Sequence, residues 1–428
     1  MTTTGHARPS IDTRTRSVGG AAPVDAADFF AGPWRSAIER NGARAALDAE
    51  HLGLPPLTLV VDREPFTIRA VDGVIAVDAR RSDDGLQVTL DRGAFGDLVA
   101  EERTALGLVV GGRVEGDPAS NDAFCAWDPV LRSLLDGRPV YRPGTVTLRD
   151  RDGAPLDLDQ RFLLGDDDAA AAYFLGEAGF ALIQDVFSDA EMDAVDADLA
   201  RAVAQASPDD GSSWWAATSD GERYPCRILN LAEQSPALRA LIHDPRFLAI
   251  GELLGDGHRP GDPFGEHFAD VTAEGLLKRV DSVEGLVCLP WHKDCDRGGH
   301  SMFCSGLTIG ICLTPVDEAH GGLDVTAGSH RANIARAQVD RGLDLPAITL
   351  RAGRGDVTVH TSCTLHRSTH PKTRERRVAY TGFALPPRPG DRQATEAQPR
   401  LRRERSAIGS DKARTRLGAD AGRDNDHH

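Results

Sequence analysis

The chain has 428 residues, of which 40% are hydrophobic, and carries a formal net charge of −16 with a sequence pI near 5.3. This is enough chain for a sizeable core, and at roughly 150 residues per domain it suggests two or three domains. The acidic balance argues against nucleic acid as the main partner, because phosphate contacts want a basic face.

Seven cysteines occur, Cys125, Cys226, Cys288, Cys295, Cys304, Cys312 and Cys363, with no CxxC pair among them. That pattern reads as reduced thiols rather than a disulfide framework. Lysine is nearly absent, with Lys278, Lys293, Lys372 and Lys412 the only four among 49 basic side chains. Together with abundant Ala, Gly and Asp, this is the composition of a high-GC bacterial protein. The first 20 residues hold no apolar h-region, and no stretch approaches 18 apolar residues, so the expectation is a soluble cytoplasmic protein without a membrane span.

In chain order, residues 1–24 read as a disordered tail. "AADFFAGPWRSAIERNGARAALDAE" has apolar residues at helical spacing. The period then changes to two in "LTLVVD", "FTIRAVDG", "VIAVDA" and "LQVTLD", short strands separated by Asp- and Gly-containing turns. Helix is expected again from Gly93 to Leu108 and in "FCAWDPVLRSLLDG". Residues 25–140 thus form a small α+β domain, and the Pro-, Asp- and Arg-rich segment 141–166 reads as a linker. From Asp167 the order is helix, Gly break, strand "FALIQDVF", and a helix opened by Ser188 with Glu191 three residues on, a capping box. "SPALRALIHDPRFLAIGELLG" predicts two amphipathic helices, and strands with tight turns fill about 276–386. Residues 387–428 are polar and read as a disordered tail.

The chemistry concentrates in "LPWHKDCDRGGH". On an extended strand His292 and Asp294 point to one face and can share one metal ion. A third ligand must come from elsewhere, and His360, His366 and His370 compete for that place, His370 the weakest because it sits before Pro371 in a turn. Two histidines and a carboxylate leave three coordination positions open, which suits non-haem Fe(II) with O₂ and a bidentate co-substrate. Arg377, eleven residues beyond His366, has Ala379, Thr381 and Phe383 on its face and can reach a carboxylate from the next strand. His292, Cys295 and His300 as a structural zinc site is disfavoured, because such sites close with four ligands. His320 and His330 read as turn residues, Trp214 and Trp215 as core, and Arg227 as either an anion contact or a surface charge.

Residues 167–386 resemble the phytanoyl-CoA dioxygenase family of Fe(II)/2-oxoglutarate oxygenases, on "FLGEAGFALIQDVFSDAEM", "WHKD", "GGLDVTAGSH" and "LHRSTHPKTRERRVAYTGF". The resemblance implies a double-stranded β-helix, of jelly-roll or cupin type, with flanking helices. It implies His292, Asp294 and His366 as catalytic metal ligands and Arg377 and Ser368 as 2-oxoglutarate contacts; Lys278, upstream on "LLKRV", reads either as a further 2-oxoglutarate contact or as a solvated strand residue. It also implies O₂ as co-substrate and succinate and CO₂ as products. An aliphatic, lipid-like, acyl-CoA or secondary-metabolite substrate is expected, with hydroxylation favoured over halogenation because Asp294 keeps its carboxylate. Two departures concern the pocket. Lys293 stands where the family often has Gln, and "LTIGICL" lacks an aromatic that often walls the oxoglutarate site.

Within the front domain, "GVIAVDARRSDDGLQVTLDRGAFGDLVAEERTALGLVVGGRVEGD" resembles the sterol carrier protein type two fold. That resemblance implies a lipid-binding module, and hence an alternative function: an acyl-chain carrier whose oxygenase domain is accessory or inactive. As independent units, the front 150 residues are expected to be removable without loss of the iron site.

Overall fold

The computed structural model describes residues 22–83, 85–208, 210–255, 257–260, 273–285, 288–297, 302–303 and 306–384. Apart from residues 22–24, both sequence-read tails lie outside the described residues, as do His300 and Cys304.

The front unit contains α1 (Ala26–Ala31), α2 (Pro33–Leu52), β1 (Leu57–Val61), β2 (Glu64–Val71), β3 (Val74–Asp78), β4 (Gln87–Leu90), α3 (Arg92–Val99), α4 (Ala105–Val110) and α5 (Pro118–Asp136). Its sheet runs β3-β2-β1-β4, with β4 parallel to β1. The helix expected over Gly93–Leu108 is two helices. The chain breaks at Glu101, whose φ is 54°, and Thr104 starts α4 by accepting from the Gly107 N–H at 3.0 Å. Aromatic rings fill the interior, with Phe29 against Phe95 at 5.3 Å and Phe30 stacked on Phe66 at 4.7 Å between centroids.

The second unit continues with α6 (Asp168–Ala178), β5 (Phe180–Ile183), α7 (Asp189–Gln205), β6 (Ser213–Thr218), β7 (Arg223–Ile228), α8 (Leu231–Gln234), α9 (Pro236–Ile242), α10 (Pro245–Glu252), β8 (Arg259–Pro260), β9 (Glu274–Lys278) and β10 (Ser282–Glu284). It ends with β11 (Leu307–Cys312), β12 (Leu323–Thr326), α11 (Arg336–Arg341), β13 (Ala347–Leu350), β14 (Val357–Thr361), β15 (His366–Ser368) and β16 (Arg376–Ala384). Ser188 and Glu191 form the reciprocal capping box that opens α7. A large antiparallel sheet, β10-β6-β7-β9-β16-β11-β14-β5, is joined by a three-stranded sheet, β13-β12-β15. The whole is an α+β fold in which a large sheet is flanked by helices in a jelly-roll-like arrangement.

Strand periodicity divides the large sheet into two faces. Ile309, Val359, Ala379 and Phe383 belong to the main core shared with the helices, and Phe383 stacks on Phe247 of α10 at 4.8 Å. Leu182, Cys312 and Val378 belong to a separate buried cluster on the other face, with Tyr380 packed against it. This inner face meets the small sheet. The ring of His360 on β14 lies 4.4 Å from that of His366 on β15, and Lys278 on β9 donates to Ser368 on β15.

Segment 141–166 runs along the second unit. Tyr141 donates to Asp344, and the Phe162 N–H reaches the Leu182 carbonyl at 3.0 Å. Asn333, 1% exposed, donates to the carbonyls of Pro129 and Arg138 at 2.8 and 2.9 Å. Helix α4 packs on the 3-10 turn Asp294–Arg297, so the front unit abuts the segment that carries the HxD motif.

Candidate metal and oxoglutarate site

His292 and His366 are brought together by the backbone. Each N–H donates to the other's carbonyl at 2.9 Å, an antiparallel bridge that continues the β15 edge. Asp294 follows at the start of its 3-10 turn. One ligand atom from each of His292, Asp294 and His366 can be chosen so that all lie within 4.8 Å of one another. The two Nε2 atoms are each 3.7 Å from Asp294 Oδ1.

The imidazoles are oriented by their other nitrogens. Nδ1 of His292 lies 2.7 Å from the Pro290 carbonyl and Nδ1 of His366 lies 2.9 Å from the Thr364 carbonyl. A carbonyl only accepts, so Nδ1 carries the proton and the Nε2 lone pair is left for a metal. Burial, and then the neighbouring His292, push His366 well below the ordinary histidine value, which keeps it neutral. Burial pushes the Asp294 carboxyl up, but the surrounding imidazoles, His366 first, hold it below the usual carboxylate range when they carry a proton. Neutral imidazoles and an ionised carboxylate are the forms that bind a metal.

Lys293, between the two motif residues, is 3% exposed and donates to the carbonyls of Ser329 and Ala332 at 3.0 and 3.1 Å. It pins the motif to the turn after β12 instead of facing a pocket.

Beside the triad lies a pair of buried cationic side chains. Lys278 and Arg376 are directly opposed in the β9–β16 register and are each 1% exposed. Lys278 donates to Ser368, which shares its strand face with His366. Arg376 donates to the Gly322 carbonyl and the Tyr380 hydroxyl, both at 3.1 Å, and its Nε has no partner among the described residues. Among the described residues no carboxylate pairs with either cation. Burial, and then Arg376, push the Lys278 ammonium down to about 7.

Here the sequence expectation for Arg377 needs correcting. Its neighbours on the same face, Ala379 and Phe383, pack against the helices, so its fork leaves the sheet on the outer side. There it is paired with Asp196 of α7 at 2.9 Å and with Glu375 at 2.5 Å. The arginine on the inner face is Arg376.

Three other inner-face residues were not singled out by sequence. Thr308 donates to Asp294 Oδ2 at 2.8 Å. Tyr380 lies across from Gly310 in the β11–β16 register. A Cβ on Gly310 would come within 2.6 Å of Thr358 Oγ1 and 3.2 Å of the Tyr380 ring, so the missing aromatic of "LTIGICL" is replaced by a ring from the next strand lying over a glycine. The period-2 alternation of β16 held that signal.

The remaining candidates lie elsewhere. His320 is held by Asp317 at 2.7 Å, and His330 by the Gly176 carbonyl at 3.1 Å. His370 is an exposed residue near Lys278, its pKa lowered by desolvation and then by that charge. Cys295 is buried against Cys363. Arg227 pairs with Glu274 at 2.7 Å and stacks over Trp214 at 4.8 Å, and Trp215 bonds to Ser213.

Residues 175–379 match the family model described as phytanoyl-CoA dioxygenase. The chain carries a domain of the Fe(II)/2-oxoglutarate dioxygenase superfamily. With its His/Asp/His triad, the dioxygenase-type domain makes the chain a non-haem Fe(II), 2-oxoglutarate-dependent oxidoreductase. The chain is similar to AviO1 from Streptomyces viridochromogenes Tue57, at 22% identity over 53% of this chain and 98% of that one, with a TM-score of 0.42. It is also similar to EctD from S. alaskensis with 2-oxoglutarate and 5-hydroxyectoine, at 19% identity over 61% and 96%, TM-score 0.43. For the non-heme alpha ketoglutarate dependent carbocyclase SnoK from nogalamycin biosynthesis the values are 20%, 53% and 93%, TM-score 0.39. No curated protein sequence matches. The family match lies wholly within the second unit and leaves the sterol-carrier resemblance of the front unit without support. Among the described residues no helix is long and apolar enough to cross a membrane.

Proposed function

We propose that the dioxygenase domain binds Fe(II) through His292, Asp294 and His366, holds 2-oxoglutarate against Lys278, Arg376 and Ser368, and hydroxylates a small organic substrate. The observation that carries this reading is the pair of buried cations without a carboxylate partner among the described residues, set beside a triad of metal-ligand form. Burying unpaired charge is costly, and a dicarboxylate arriving at that place offsets the cost. Bound iron would supply O₂ activation, coupled to oxidation of 2-oxoglutarate to succinate and CO₂. Lys278 and Ser368 would hold the far carboxylate, with Arg376 fixing its plane and the Tyr380 ring excluding water over Gly310. Acyl-CoA, other lipids and secondary metabolites are the candidate substrates. The aromatic filling of the front unit favours a packing role for it over acyl-chain carriage. Succinate release by the full chain with Fe(II), 2-oxoglutarate and a panel of these substrates tests the proposal. Turnover unaffected by omitting 2-oxoglutarate would refute it.

A further inference from the structure

His360 is buried at the inner face, 1% exposed, and neither of its ring nitrogens has a hydrogen-bond partner among the described residues. Leaving a buried polar group unsatisfied is costly, and an apolar residue at this strand position would avoid that cost. Its Nε2 lies 3.6 Å from Asp294 Oδ2. His360 is not in the group of ligand atoms that lie within 4.8 Å of one another.

The two oxygens of Asp294 therefore have different surroundings. Oδ1 faces Nε2 of both His292 and His366 at 3.7 Å. Oδ2 accepts from Thr308 Oγ1 at 2.8 Å and faces His360 Nε2. Thr308 and His360 are direct neighbours across the β11–β14 register, so both groups reach Oδ2 from the same wall.

We infer that His360 is a positioning residue which, together with Thr308, holds Asp294 Oδ2 from behind and leaves Oδ1 alone to face the metal. The inference rests on the reading of the triad as a metal site. A carboxylate held at one oxygen binds end-on and occupies one coordination position. A carboxylate free to rotate can bind through both oxygens and close one of the three positions that co-substrate and O₂ need. Two contacts from adjacent strands restrain that rotation better than the Thr308 hydroxyl does alone.

The test is titration of the metal-free full chain with Co(II), whose visible absorption reports coordination number and geometry. His360→Phe is expected to weaken Co(II) binding about 10- to 100-fold and to shift the visible bands. His360→Gln, which keeps a side-chain N–H, is expected to recover most of the affinity and the wild-type spectrum. Thr308→Val and His360→Phe together should depart from additivity, because both act on one oxygen. Should His360→Phe fail to fold, His360→Met removes the N–H at a similar volume and is read in the same way. Wild-type affinity and spectrum in the variant lacking the N–H would overturn the inference and leave His360 as filling. Loss of the metal in that variant, with His366→Ala still binding normally, would also overturn it by making His360 a ligand. Failure of the wild-type chain to bind Co(II) would instead bring down the metal reading itself.

Discussion

Lys278 and Arg376 face each other across β9 and β16, both buried and neither paired with a carboxylate among the described residues. Burying like charges together is costly, and an incoming anion would offset that cost. Arg377, one residue along, already has its anions in Asp196 and Glu375. Arg376→Ala should therefore weaken 2-oxoglutarate about ten- to a hundred-fold, the range for loss of a charge-assisted bond. Arg377→Ala should leave 2-oxoglutarate affinity unchanged and lower stability slightly. Calorimetric titration of both variants with 2-oxoglutarate decides, and the reverse order of effects would put the co-substrate on the outer face.

The pH dependence of co-substrate binding follows from Lys278, pushed down to about 7 chiefly by burial. Below about pH 7 the free protein already carries the ammonium charge that a dicarboxylate needs. Above it, binding must take up a proton, so affinity should fall by up to about tenfold per pH unit. The same displacement from 10.5 means that the unfolded chain holds a proton the folded chain lacks between about pH 7 and 10.5. In that window Lys278 makes the ligand-free protein more stable as pH rises. Lys278→Met should flatten the 2-oxoglutarate profile, and a wild-type profile flat from about pH 6 to 9 would remove Lys278 from the site.

For the triad, His292→Ala, Asp294→Ala and His366→Ala should each abolish succinate release. His370→Ala should retain it, since His370 lies outside the group of ligand atoms that converge within 4.8 Å. Succinate release by the four variants under saturating Fe(II) is the measurement. An inactive His370→Ala with an active His366→Ala would reassign the distal ligand.

Removal of the front unit should cost more than its separate aromatic core suggests. Helix α4 covers the Asp294–Arg297 turn, and Asn333 is joined to Pro129 and Arg138. A fragment of about residues 160–390 should aggregate, or bind Fe(II) more weakly than the full chain, because an apolar face is laid bare beside the motif. In the full chain, Asn333→Ala should lower stability by about 1–3 kcal/mol by leaving two carbonyls unpaired. Soluble expression and thermal melting check both. A soluble fragment with full metal affinity would show that the front unit does not support the site.

Much of this protein was legible in the residues themselves. Alternation of period two marked β1 to β4, the Ser188 capping box marked the start of α7, and the spacing of His292 and Asp294 announced a pair of ligands. These signals are local, since they depend on side chains a few positions apart on one strand or one helical turn. Which face of β16 turns inward is not local. Arg376 and Arg377 are the same residue type side by side, and only pairing with β9 and packing of Ala379 and Phe383 against the helices sends one fork to the inner face and the other to α7. The setting of Asp294 between Thr308 and His360, and the Tyr380 ring over Gly310, likewise arise from strands distant in sequence. Sequence determined which chemical groups were present. Register and sheet packing decided which of them converge, because a shift of one residue along a strand reverses the face of every side chain on it.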